Sequence, residues 1–186
     1  FDLMMPLSGE VRRALGEALA RESELGCLLE GMAGPDAELR EMAAFVSMPG
    51  SKRQVIHSDT TWTDAPALFT SFIALQPVSS DMGPTRFLPK THTKEAHGLF
   101  DGADTKDALL RDTPCAFGPL QVGDCAVYDS RLLHCGGSNR GSTERVVFYL
   151  SFMPRGAVGG SNNVQSLREE YVGKFTIESL RSEVGV

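Results

Sequence analysis

The sequence predicts a mainly β fold, a sandwich or barrel with a helical cover, on three observations. One amphipathic helical pattern is confined to the N-terminal region. Short runs rich in β-branched and aromatic residues follow, separated by Gly, Pro, Asn and Asp, and a single long polar excursion interrupts them. A chain of 186 residues is most simply one domain, large enough to bury a core without disulfide or metal staples. The expected layout over 1–186 is a helix at 8–33, a β-core at 36–155 and a tail at 156–186.

The helix rests on Val11, Ala14, Leu15, Ala18, Leu19, Leu25, Leu28, Leu29 and Met32, which recur at helical spacing. Ser8 serves as N-cap, and Gly34-Pro35 ends the helix. Strands are expected near 38–48, 53–59, 67–77, 84–88, 115–121, 124–134 and 144–153. The stretch 92–113 is polar with one short helical piece, a long loop of the kind that lines binding mouths on β scaffolds. "GAVGGSNNV" at 156–164 is a connector to a tail that folds back as a short helix.

A formal charge of -6 and a pI near 5.2 provide no basic excess to neutralise phosphates, which argues against nucleic acid and anionic membranes as partners. A small-molecule substrate is the expectation; the oligomeric state is not readable. Cys27, Cys115, Cys125 and Cys135 form neither a CxxC pair nor a disulfide framework, which favours a reducing, intracellular and cytoplasmic setting. The apolar run "VVFYLSFM" is strand-sized rather than membrane-spanning. Because the chain begins at Phe1 without a leader, part of the natural N-terminus is expected to be missing, and an organelle address could lie there.

The chemistry centres on "RQVIHSD", residues 53–59. Side chains at i and i+2 of a strand share a face, so His57 and Asp59 project together. Among the remaining histidines, His134 is the strongest candidate for a third ligand. It ends the strand "GDCAVYDSRLL" and precedes the turn cluster "CGGSNRGS", from which "RVVFYLSF" is expected to return antiparallel and bring Arg145 beside it. Two histidines and a carboxylate on one face of an octahedral ion leave three positions open, the arrangement of non-haem Fe(II) oxygenases. An α-keto acid fills two of these and dioxygen the third. Its distal carboxylate suits the rigid, permanently charged fork of an arginine.

These segments resemble the phytanoyl-CoA dioxygenase family of Fe(II)/2-oxoglutarate oxygenases over about residues 36–155. "MPGSKRQVIHSD" looks like the strand carrying its HxD pair and "GPTRFLPKTH" like its GxTxFxPGSH segment. "LQVGDCAVYDSRLLHCGGSN" looks like its GD…D…LLHxGGxN segment, with Arg145 eleven residues past the histidine. The resemblance implies a double-stranded β-helix, a jelly-roll or cupin-like fold. It also implies Fe(II) held by His57, Asp59 and His134, 2-oxoglutarate held by Arg145, and O2 as co-substrate. Gln54 matches a glutamine that touches the co-substrate in some members, although strict alternation puts it on the face opposite His57 unless the strand bulges. Two departures, Lys90 in place of a glycine and Leu75-Gln76 where a tryptophan is common, leave the iron chemistry intact but remove the inference of an acyl-CoA substrate.

Other residues carry plainer readings. Thr85 either donates to the co-substrate or is a buried, satisfied hydroxyl. Asn139 and Ser142 shape their turn, with Ser142 able to reach a carboxylate. Trp62 stacks on substrate or fills core. His92 is expected to hydrogen-bond a turn, His97 to be solvated or near the mouth, Asp129 to end a strand, and Cys135 to pack. Two other function classes use the same residues: a zinc-dependent hydrolase, which has no use for a paired arginine, and a cupin-like binding protein without turnover.

Overall fold

A computed structural model of the chain describes residues 1–66, 68–158 and 166–182. The N-terminal apolar pattern folds as two helices rather than one, α1 (Gly9–Ala18) and α2 (Glu24–Ala33). Ser23 makes the break. Its Oγ accepts the Gly26 N–H at 2.9 Å as an N-cap and sits within donating distance of the Ala18 and Ala20 carbonyls. Gly26 lies against the backbone of Leu19 and Ala20, where no Cβ would fit, so the chain doubles back tightly. Helical spacing survives such a break, and the pattern alone therefore conceals it.

The strands form two antiparallel sheets. The larger has the order β1-β2-β8-β3-β6, built from Asp2–Met4, Glu38–Ser47, Arg145–Met153, Phe69–Ala74 and Cys125–Asp129. The smaller has the order β5-β4-β7, from Ala116–Phe117, Thr85–Phe87 and His134–Gly136. Alternation along β8 assigns its two faces. Phe148, Leu150 and Phe152 pack with Leu15, Leu19 and Leu29 of the helical layer, while Arg145, Val147 and Tyr149 line a cavity on the other side. In β2 a register shift between Leu39 and Glu41 lets Leu39 and Met42 share the helical face and turns Glu41 and Phe45 to the cavity.

Helix α5 (Ile177–Ser182) returns beneath this layer, as the tail predicts, and buries Ile177 and Leu180 there. The Arg181 guanidinium ties it down, donating to the carbonyls of Leu19 and Gly26 and pairing with Glu30. Residues 159–164 of the expected connector lie outside the described residues.

Four further expectations change. The polar excursion carries two helices, α3 (Lys94–Asp101), capped by the Thr93 hydroxyl, and α4 (Lys106–Asp112). The run 53–59 is not a continuous strand but makes a single antiparallel bridge, His57 to His134. The segment 124–134 divides between sheets at a turn where Asp129 accepts from the Arg131 backbone and guanidinium. Finally, β7 and β8 are not a hairpin: β7 pairs with β4, whereas β8 pairs with β2 and β3. Asn139, fully buried, pins the crossover, donating to the carbonyls of Ser47 and Thr143 and accepting from Gly141 N. No helix among the described residues is long and apolar enough to cross a membrane.

Candidate metal centre

His57, Asp59 and His134 come together where the two sheets face each other, each offering a ligand atom within 4.8 Å of the others. Two backbone bonds between the histidines set the spacing, His57 N to His134 O at 3.0 Å and His134 N to His57 O at 2.8 Å. Asp59 N donates to Ser130 O at 2.9 Å and holds the carboxylate against the turn that precedes His134.

Each imidazole is oriented by its far nitrogen. His57 Nδ1 lies 2.8 Å from Val55 O and His134 Nδ1 lies 2.9 Å from Leu132 O. A carbonyl can only accept, so Nδ1 carries the proton and the Nε2 lone pairs face Asp59 Oδ1, at 3.8 and 3.6 Å. Burial, opposed in part by Asp59, lowers the His134 pKa and favours the neutral form that a metal needs. The other carboxylate oxygen accepts from the Tyr128 hydroxyl at 3.0 Å. Burial first, then the Asp59 charge, pushes the Tyr128 pKa well up and keeps this donor protonated.

The cluster opens into a cavity of about 210 Å³ that Arg145 also lines. Arg145 is 3% exposed and, among the described residues, its Nε has no hydrogen-bond partner, Nη1 approaches Met82 O at 3.5 Å, and the guanidinium lies 5.9 Å from the centre of the Phe45 ring. No carboxylate among the described residues pairs with it. Burial lowers its pKa, the signature of a desolvated cation lacking a counter-charge. Gly136 lies beside it because a Cβ there would stand 2.8 Å from Gln54 Oε1 and 3.4 Å from Arg145 Nη2. This donor set fits a ferrous ion with a dicarboxylate keto acid next to it, since it provides two imidazoles with Nε2 turned inward, one carboxylate and a guanidinium that no described carboxylate pairs.

The sequence profile of the phytanoyl-CoA dioxygenase (PhyH) family matches residues 5–147. The chain belongs to this family. Its fold is shared with solved structures that include non-haem alpha-ketoglutarate-dependent enzymes. The epimerase SnoN from nogalamycin biosynthesis, in complex with Fe3+, alpha ketoglutarate and nogalamycin RO, is 21% identical over 82% of this chain, with a TM-score of 0.63. The alpha-ketoglutarate-dependent carbocyclase SnoK from nogalamycin biosynthesis is 19% identical over 83%, with a TM-score of 0.66. AviO1 from Streptomyces viridochromogenes Tue57 is 20% identical over 76%, with a TM-score of 0.59. The chain spans 62%, 64% and 62% of these three proteins, about three-fifths of each. Among curated protein sequences, none matches it.

In this phytanoyl-CoA dioxygenase family member, Gln54 reaches the cavity through the bulge that its register requires. Gln54 N donates to Gly136 O, so three steps from Gln54 to His57 oppose two from Gly136 to His134, and Gln54 Oε1 accepts from Gly136 N at 2.7 Å. Thr85 lines the same wall. Ser142 is corrected: it is exposed in the crossover turn and outside the cavity lining, because Arg145 turns inward only after the turn has ended. Trp62 is half-buried outside the lining, under the Lys94 ammonium at 5.3 Å. His97 is also corrected, being buried and 2.7 Å from Arg131 O through Nε2. His92 is exposed, and Cys135 is buried as expected. Sequence reasoning missed Tyr128, Glu41, Asp2 and Tyr149, all of which line the cavity. A lone acid inside the apolar run "EMAAFVS" was the signal for Glu41.

Proposed function

We propose that this chain is an Fe(II)/2-oxoglutarate-dependent dioxygenase that hydroxylates a small organic molecule, with release of succinate and carbon dioxide. In this reading the two sheets are the walls of a double-stranded β-helix forming one oxygenase domain. The observation that carries the proposal is the opening of three convergent ligands and an unpaired, buried guanidinium onto one cavity.

His57 and His134 would hold the ion through Nε2 and Asp59 through Oδ1, with Tyr128 keeping the carboxylate oriented. The Arg145 fork binds the distal carboxylate of 2-oxoglutarate, and Gln54 and Thr85 bracket the co-substrate from the smaller-sheet side. Phe45, Phe72 and Val147 keep water from the remaining space, which limits unproductive oxidation. When bound, the ferrous ion and keto acid supply dioxygen activation coupled to oxidative decarboxylation. Asp59 fills the position that a halogenating centre leaves for halide, which favours hydroxylation. Zinc-dependent hydrolysis has no use for Arg145.

The test is spectroscopic. Anaerobic addition of Fe(II) and 2-oxoglutarate should give a visible charge-transfer band that oxygen discharges with formation of succinate. A colourless complex, or zinc-dependent hydrolysis in its place, overturns the assignment.

A further inference from the structure

Charge is distributed unevenly along the cavity. Among the described residues Arg145 is the one arginine or lysine in its lining, whereas Asp2 and Glu41 add two carboxylates to that of the metal cluster. Inward-facing residues along β8 run Arg145, Val147, Tyr149, which places Tyr149 roughly 13 Å from Arg145 along the strand. Glu41 pairs in register with Ser151, one inward position further on. Glu41 and Tyr149 therefore lie at the end opposite Arg145, and Asp2, in register with Phe45 and Val147, brings its carboxylate near the Tyr149 hydroxyl from the edge strand, with Phe45, Phe72 and Val147 among the walls.

Tyr149 marks the acidic pole as a place for a ligand. It is 3% exposed, and its hydroxyl is buried without a hydrogen bond of ordinary length, with the Ser166 hydroxyl and the Asp2 carboxylate close by. Ala43, directly opposite on β2, has no polar group to offer it, and the Phe72 ring holds it edge-on at 5.9 Å. Orphaned buried hydroxyls are rare in folded proteins, and one lining a cavity is satisfied when that cavity fills. Burial pushes the Tyr149 pKa up, so the group stays a neutral hydroxyl able to accept as well as donate. Glu41, itself buried, is held in place by the Ser151 and Ser166 hydroxyls, which donate to its carboxylate.

We infer that this pole recognises the substrate and selects a basic nitrogen. An alkylammonium group there donates to the carboxylates of Glu41 and Asp2 and to the Tyr149 oxygen, with its apolar stem along Phe45, Phe72 and Val147. Anionic substrates are repelled from the same end, and 2-oxoglutarate is directed to Arg145. The inference rests on the oxygenase reading, which assigns the Arg145 end to the co-substrate.

Three probes with one ring and different polar groups test it: cyclohexylamine, cyclohexanol and cyclohexanecarboxylate. Each is titrated by NMR into protein loaded with Zn(II) and 2-oxoglutarate, which fills the Arg145 end and does not turn over. The amine should bind at least tenfold more tightly than the other two. Glu41→Gln and Asp2→Asn should each cut amine affinity several-fold without changing that of the alcohol, and Tyr149→Phe should weaken amine and alcohol alike. Asp2 is exposed on an edge strand, so Asp2→Asn keeps the test decisive if Glu41→Gln does not fold. Absent amine binding, an alcohol or carboxylate that matches the amine, or an amine preference untouched by the folded acid variants overturns the inference. The affinity for 2-oxoglutarate, measured first, separates the two readings: its loss in the unaltered protein sinks the oxygenase proposal, while its retention without amine preference sinks this one alone.

Discussion

Replacing Arg145 with methionine should have opposite effects on the ligand-free and ligand-bound protein. Arg145 is 3% exposed, pairs with no described carboxylate and leaves Nε orphaned. A buried donor without a partner costs about 1–3 kcal/mol, and a buried charge replaced by a packed apolar side chain is often neutral or stabilising. Arg145→Met should therefore hold or raise the unfolding midpoint of the ligand-free protein, by up to about 2–4 °C for each kcal/mol gained in a chain of this size. With 2-oxoglutarate the sign reverses. Removing one member of a buried charge pair costs about 2–5 kcal/mol, and each 1.4 kcal/mol is about tenfold, so affinity should fall by roughly 30-fold to a few thousand-fold. Calorimetric titration of 2-oxoglutarate into the Zn(II)-loaded protein measures the second effect and thermal unfolding without ligand measures the first. A loss of affinity below about threefold, or a ligand-free variant destabilised by more than about 2 kcal/mol, would refute the assignment of Arg145 as an anchor awaiting its anion.

Three further outcomes can be checked. Gly136→Ala places a methyl group 2.8 Å from Gln54 Oε1 and 3.4 Å from Arg145 Nη2, and overpacking of about 1–3 kcal/mol should appear as roughly tenfold weaker 2-oxoglutarate binding with metal affinity unchanged. Tyr128→Phe removes the 3.0 Å bond to Asp59 and should lower metal affinity about 10–100-fold in a competition titration, while the fold survives because the ring is retained. Burial pushes the Cys125 thiol up to about 11, so at pH 8 iodoacetamide should modify the exposed Cys27 and Cys115 and leave Cys125 intact. The native state holds the Cys125 proton more tightly than the unfolded chain does. Its contribution to stability is therefore full below about pH 8.5 and is lost as pH rises through about 11. Rapid labelling of Cys125 at pH 8 in native protein would contradict that burial.

The parts of the fold governed by local rules were legible in the sequence. Strand β2 and strand β8 follow from β-branched and aromatic runs and match the expected bounds within one residue. The HxD pair follows from a parity that one bridge is enough to preserve. Where a single residue redirects the chain, the pattern did not reveal it. Ser23 divides a helix whose apolar stripe continues across the break, and Asn139 sends the chain from one sheet to the other where a hairpin was expected. Gln54 enters the cavity only because a bulge offsets its register, which alternation alone cannot foresee. Lys90 adopts φ 68 in place of the family's glycine, so the turn before His92 keeps its left-handed shape at a conformational cost of about 1 kcal/mol. Tyr128 and Tyr149 were invisible as site residues because tyrosine in a strand is ordinary core. Only the three-dimensional register shows one touching Asp59 and the other facing the cavity.

Anomalous diffraction at the iron edge, from crystals grown anaerobically with Fe(II) and 2-oxoglutarate, tests the metal centre most directly. The expected result is one iron bound by Nε2 of His57, Nε2 of His134 and a carboxylate oxygen of Asp59 at about 2.0–2.2 Å, with the distal carboxylate of the keto acid on Arg145. Iron bound elsewhere, or a keto acid that leaves the Arg145 guanidinium unpaired, would contradict it.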